Sequence, residues 1–170
     1  MIGLRPYLPS DAETLAMIFV ASIEQVATED YDVEQIAAWT SKADDEAAFG
    51  ARLAAQLTLV ATADGEAVGF ASLRGTDVID MLYVHPEAIG QGVATTLINA
   101  LEKLATARGA TQIKVDASDT AEPFFAGRGY RAQQRNSNEV AGVWLANTTM
   151  LKPFAANDPG AGSSGNGGRS

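Results

Sequence analysis

The residues with the clearest capacity for chemistry lie in one run, Val84-His85-Pro86-Glu87-Ala88-Ile89-Gly90-Gln91-Gly92-Val93-Ala94. A β-type stretch ends at Pro86, a short loop with two glycines follows, and an amphipathic helical pattern begins at once. Gly90 and Gly92 let backbone N–H groups come close to a ligand, and the start of a helix adds partial positive charge. An anion, and a pyrophosphate above all, suits such a loop. The same pattern also serves as a plain strand-to-helix turn without a ligand, and the glycines alone do not separate the two. A dinucleotide fingerprint would need a third glycine where Thr95 stands, and the Gly-Lys-Ser/Thr of a Walker loop is absent. His85 has a side chain of the right basicity for proton transfer, but its place in the turn favours a structural task.

Composition removes several other chemistries. There is no cysteine, which excludes disulfides, thiolate nucleophiles and cysteine-based metal sites, and a single histidine leaves no His-rich metal centre. No metal is therefore expected. Asp and Glu outnumber Lys and Arg by 21 to 12, for a net charge of −9, which argues against nucleic acid as a partner. An acidic surface mildly favours cationic or amine ligands and equally serves solubility. No apolar run reaches membrane-spanning length, and Met1 to Arg5 leads into folded-looking sequence instead of a signal peptide. The expected address is the cytoplasm, with no membrane partner.

The elements that must position the loop follow from periodicity. Ile2 to Arg5 reads as a strand, and Ser10 with Glu13 as a capping box for a helix carrying Leu15, Ile18, Phe19 and Ile23. Two further helices are expected over 33–40 and about 44–55. Leu57 to Thr62 and Ala67 to Leu73 form a hairpin around Asp64-Gly65, and Val78 to Val84 is a third strand. From about Gln91 to Ala107, Val93, Leu97, Leu101 and Leu104 line one helical face, with Gly109 at the left-handed cap. Gln112 to Asp116 is a strand, and Asp119 with Glu122 suggests a capping box before a short helix through Phe125. Tyr130 to Arg135 and Val140 to Leu151 close the pattern as strands. The order predicts an α/β (α+β) domain over 1–154, with a mixed, mostly antiparallel sheet and helices on both faces. The remainder, 155–170, reads as a disordered or appended tail.

The loop, taken with its surroundings, resembles motif A of the GNAT (Gcn5-related) superfamily of N-acetyltransferases, as found in small single-domain bacterial members. The motif runs Gln/Arg-x-x-Gly-x-Gly/Ala; Gly92 and Ala94 fill its last positions and Ile89 departs from its first. Leu4-Arg5-Pro6-Tyr7 with Asp11, the strand Ile79 to Val84, and Ala121 to Phe125 followed by Gly129-Tyr130 fit the same family. The resemblance covers nearly all of 2–152.

The resemblance implies acetyl-CoA as acyl donor and an amine of a small molecule or peptide as acceptor, joined by direct attack in a ternary complex. Its thioester carbonyl would meet a backbone donor among Leu82, Tyr83 and Val84, and its pyrophosphate the amides of Ile89, Gly90, Gln91, Gly92, Val93 and Ala94. The family's tyrosine general acid is replaced by Phe125 and a nearby asparagine by Ser118; both remain cofactor-side candidates, with Ser118 also a plain helix cap. Asp80, on the strand flanking the thioester, is a candidate base or a solvated carboxylate. Tyr83 is a candidate acid or a core residue, on the opposite face from Asp80 by strict strand alternation. Tyr31, Trp39 and Trp144 fall where the family builds its acceptor pocket, and Arg135 and Asn147 could hold a polar group there. The resemblance also allows a homodimer through the closing strands. The Phe125 departure keeps open a non-catalytic acyl-CoA-binding module acting as a sensor or interaction protein. An unrelated phosphate-binding α/β domain would explain the loop without CoA.

Overall fold

The structure, a computed structural model, describes residues 1–155; the expected tail lies outside the described residues apart from Ala155. Seven strands form one sheet: β1 (Ile2–Pro6), β2 (Leu57–Ala63), β3 (Glu66–Arg74), β4 (Val78–Val84), β5 (Gln112–Ser118), β6 (Arg131–Val140) and β7 (Val143–Pro153). They lie in the order β1-β2-β3-β4-β5-β7-β6, antiparallel throughout except for the parallel pair β4–β5. The helices are α1 (Ala12–Val26), α2 (Val33–Thr40), α3 (Glu46–Ala54), α4 (Val93–Ala107) and α5 (Glu122–Gly127). Among the described residues, no helix is long and apolar enough to cross a membrane. The mixed sheet covered on both faces agrees with the fold class expected from the sequence.

Two apolar clusters occupy the two faces of the sheet. On one, α1 and α3 lay Leu15, Ile18, Phe19, Ile23, Phe49 and Leu53 against Val60, Phe70 and Met81. On the other, α4 turns Val93, Leu97, Ile98, Leu101 and Ala105 onto Ala71, Leu73, Ile79 and Ile113. The β2–β3 turn takes positive φ at Asp64 (53°) and Gly65 (84°), the backbone that a two-residue hairpin requires. The β6–β7 turn does the same at Ala141 (49°) and Gly142 (80°). The sequence did not signal that turn, because alanine is not a usual residue at positive φ.

Two helix starts differ from expectation. Ser10 does not cap α1; Asp11 holds that corner, taking a bidentate pair of hydrogen bonds from Arg5 at 2.8 Å each and a third from the Leu8 N–H. The arginine holds the Asp11 carboxyl below the usual carboxylate range. Likewise Asp119 does not cap α5, since its carboxylate is taken by Arg135.

One close approach fixes α4 on the sheet. A Cβ built at Gly69 would stand 2.9 Å from Val93 Cγ1 and 3.0 Å from the Tyr83 carbonyl oxygen, so only glycine lets the first turn of α4 sit this near β3. Gly69→Ala is expected to destabilise the protein by about 1–3 kcal/mol, the usual cost of overpacking. Denaturant unfolding of the variant against the wild type measures this.

Candidate active site

Pairing between β4 and β5 is confined to Val78 with Lys114 and Ile79 with Val115. Beyond that point β4 follows β3 as far as Val84, while β5 follows β7 as far as Ser118 opposite Asn147. The sheet therefore opens into a wedge. His85 donates its N–H to the Val68 carbonyl on β3 at 2.8 Å. Alternate residues of a strand direct their backbone groups to the same side, so Tyr83 shares that direction, and Leu82 and Val84 turn theirs into the gap.

The glycine loop continues from the open end of β4. Gly90 and Gly92 have φ of 86° and 83°, a conformation that favours glycine, and Gly92 is the N-cap of α4. Among the described residues, the N–H groups of Gly90, Gly92, Val93, Ala94 and Thr95 have no acceptor, the first helical bond being Thr96 to Gly92 at 3.0 Å. Ile89 is exposed beside them. His85 is occupied structurally: its Nδ1 accepts the Glu87 N–H at 3.1 Å.

On the α1–α3 side the wedge widens into a cavity of ≈ 510 Å³, reached by Phe19, Tyr31, Trp39, Asp80, Tyr83 and Phe125 among others. Asp80 and Tyr83 share this wall, contrary to strict alternation. The cause is a β-bulge: Ser72 pairs with Met81 but Leu73 pairs with Ile79, so Asp80 is an extra residue and the alternation resets there. Asp80 accepts from Arg52 Nε at 2.9 Å, Gln56 Nε2 at 2.8 Å and Arg74 at 3.1 Å. It is thus a held carboxylate and not a solvated one.

The Tyr83 ring lies against Phe19 (4.7 Å between centroids), Phe70 (5.7 Å) and Trp39 (6.4 Å). Burial pushes its phenol up to about 12. The Tyr31 hydroxyl donates to the Ala146 carbonyl at 2.7 Å and accepts the Asp119 N–H at 2.9 Å, tying the segment after α1 to both β7 and the β5–α5 loop. Desolvation raises its pKa as well. Trp39 stands against Tyr31 at 5.2 Å, edge to face.

Other expected residues have different places. Trp144 does not line the cavity: it is 60% exposed, because the adjacent Leu145 takes the inward face of β7. Arg135 is committed to Asp119 and to the Thr148 hydroxyl at 2.9 Å, so it holds the β5–α5 loop. Asn147 does reach the cavity, and its side-chain oxygen accepts from Asn136 at 2.9 Å. The Ser118 hydroxyl oxygen accepts the Ala121 N–H at 3.1 Å in the turn before α5, at the cavity edge, and Ser118 is not that helix's cap, which is Ala121. Phe125 is 1% exposed and packs on Tyr130 at 5.0 Å. Sequence reasoning did not single out Lys42, Arg52, Gln56 and Arg74. Arg52 is on α3, Gln56 follows that helix, Arg74 ends β3 and Lys42 precedes α3, so no local pattern marks them.

Comparison with known proteins agrees with this geometry. The acetyltransferase (GNAT) domain family matches residues 27–152. YafP of Escherichia coli K12, an uncharacterized N-acetyltransferase, is 36% identical over 149 residues, spanning 88% of this chain and 94% of its own. The crystal structure of a GCN5-related N-acetyltransferase (Aminotransferase, Class-II) from Rhodopseudomonas palustris is 64% identical, with a TM-score of 0.89 over 89% of this chain and 95% of that one. PaiA N-acetyltransferase from Thermoplasma acidophilum, solved in complex with coenzyme A, shares the fold at a TM-score of 0.73 and 19% identity over 91% and 99% of the two chains. The chain belongs to the GNAT family of N-acetyltransferases.

The Tyr31 bridge makes a testable demand. Tyr31→Phe leaves the Asp119 N–H and the Ala146 carbonyl without that partner, and should cost about 1–3 kcal/mol in denaturant unfolding.

Proposed function

We propose that this protein moves an acetyl group from acetyl-CoA to a primary amine of a small molecule or peptide, by direct attack in a ternary complex. The observation that carries the reading is the continuity of two sets of free amides: Leu82 and Val84 in the wedge, then Gly90 and Gly92 to Thr95 at the helix start. An extended, amide-rich chain ending in a pyrophosphate fits that track, as a strand would fit the missing edge. The coenzyme A complex of the PaiA relative supports it.

Each residue then has a physical task. The N–H groups of Gly90 and of Gly92 to Thr95 hold the diphosphate, with the dipole of α4 behind them. A backbone N–H in the Leu82–Val84 segment is aimed at the thioester oxygen, where negative charge develops during attack, and a fixed donor there is a large catalytic term. Holding both reactants in the wedge makes the attack effectively intramolecular. No covalent enzyme intermediate is required.

Phe125 has no proton to give, so Tyr83 is the proton-donor candidate on the cavity wall. Its raised pKa keeps the phenol protonated at neutral and mildly alkaline pH. Asp80 would take the amine's proton only in competition with Arg52, Gln56 and Arg74. We assign it to positioning, as the anchor of the bulge that aims β4. Trp39 and Tyr31 form the apolar acceptor wall, and Ser118 and Phe125 flank the donor arm.

Calorimetry with acetyl-CoA, CoA and ADP tests the carrying observation. Acetyl-CoA and CoA should bind much more tightly than ADP, and Gly92→Asp should weaken acetyl-CoA at least tenfold by placing a carboxylate at the anion seat. Equal affinity for ADP, or an unaffected variant, would end the assignment. For Tyr83, the Phe variant should slow transfer at least tenfold. The ratio of the two rates should stay flat through pH ~10, where an ordinary tyrosine is already half ionised.

A further inference from the structure

The acceptor cleft is not uniform in charge. Its α2–α3–β4 wall brings Lys42 and Arg52 to the cavity beside Asp80, with Arg74 joined to the same carboxylate. One carboxylate faces three cations there, in a chain of net charge −9. Arg52 and Arg74 share Asp80 at 2.9 and 3.1 Å. Lys42 has no ion pair or hydrogen bond among the described residues. Its pKa is lowered, first by desolvation and then by Arg52, with Asp80 opposing. The other wall carries two acids, Asp116 and Glu139. Asp116 is already accepting the Thr149 hydroxyl at 2.6 Å, and Glu139 is exposed at the end of β6.

A cation turned into a binding cleft, crowded by a guanidinium and without an ion pair of its own, is stabilised by an anion that enters the cleft. The acids on the facing wall suit an ammonium group by the same reasoning. We infer that Lys42, backed by Arg52, is an anion subsite of the acceptor cleft, and that the acceptor is a small amine also carrying a carboxylate or phosphate. This rests on the acetyl-transfer reading above and narrows its substrate class.

The test uses the full chain and acetyl-CoA with matched acceptor pairs: ω-amino acids of increasing length against their amides, and aminoalkyl phosphates against the parent amino alcohols. In at least one series the anionic member should be favoured tenfold or more in kcat/KM, and which series it is separates carboxylate from phosphate. Lys42→Met should bring that preference close to parity with acetyl-CoA affinity and melting temperature unchanged, and Lys42→Arg should restore it. Equal turnover of anionic and neutral partners, or a Lys42→Met variant that slows both alike, overturns the subsite and leaves acetyl transfer standing. Binding of acetyl-CoA with no turnover of any acceptor in either series overturns both.

Discussion

Two rungs of parallel pairing, Val78–Lys114 and Ile79–Val115, join the halves of this sheet, and the gap and the glycine loop lie past them. If β4 and β5 paired along their whole length, the amides of Leu82 and Val84 would be spent on β5 and no cleft would exist. The parting is maintained from both sides. On the β4 arm, the extra residue at Asp80 bends the strand, and Arg52, Gln56 and Arg74 fasten that residue to α3 and β3. On the β5 arm, β7 pairs without interruption from Gln112 to Ser118 and carries the strand away. Tyr31 then ties the segment after α1 to this arm, through the Ala146 carbonyl on β7 and the Asp119 N–H after β5.

The same constraint explains why the gap and the cavity are chemically unlike. The gap and the glycine loop are lined by backbone, which has no choice but to offer amides. The cavity on the α1–α3 face is lined by side chains, and there the chain expresses preferences: aromatic rings from Phe19, Trp39 and Tyr83, and charges from Lys42, Arg52 and Asp80.

Much of this was legible in the sequence where a feature depends on near neighbours. The α4 face Val93, Leu97 and Leu101, the Asp64-Gly65 turn and the glycine loop follow from periodicity and backbone preference, and the structure has them. Features set by distant partners were not legible. Nothing local marks the bulge at Asp80, since its cause is a carboxylate gripped from α3, and without it Tyr83 was expected on the wrong face relative to Asp80. Trp144 and Leu145 are both apolar, so the pattern did not fix which of them faces inward; the structure buries Leu145. Ser10 and Asp119 look like caps, yet Arg5 and Arg135 determined what the neighbouring acids do.

The glycine loop has one further property. No lysine or arginine occurs between Arg74 and Lys103, and the motif's first polar position is the exposed Ile89. The loop itself offers an incoming anion dipoles and no ion. Charge–dipole attraction fades faster with distance than attraction between ions, so it acts at contact and contributes little to steering across the ~8 Å over which salt screens at physiological strength. With a net charge of −9 around it, the loop repels an anion at long range and can favour one only at contact. Salt that screens this repulsion would therefore raise the occupancy of an anion at such a loop.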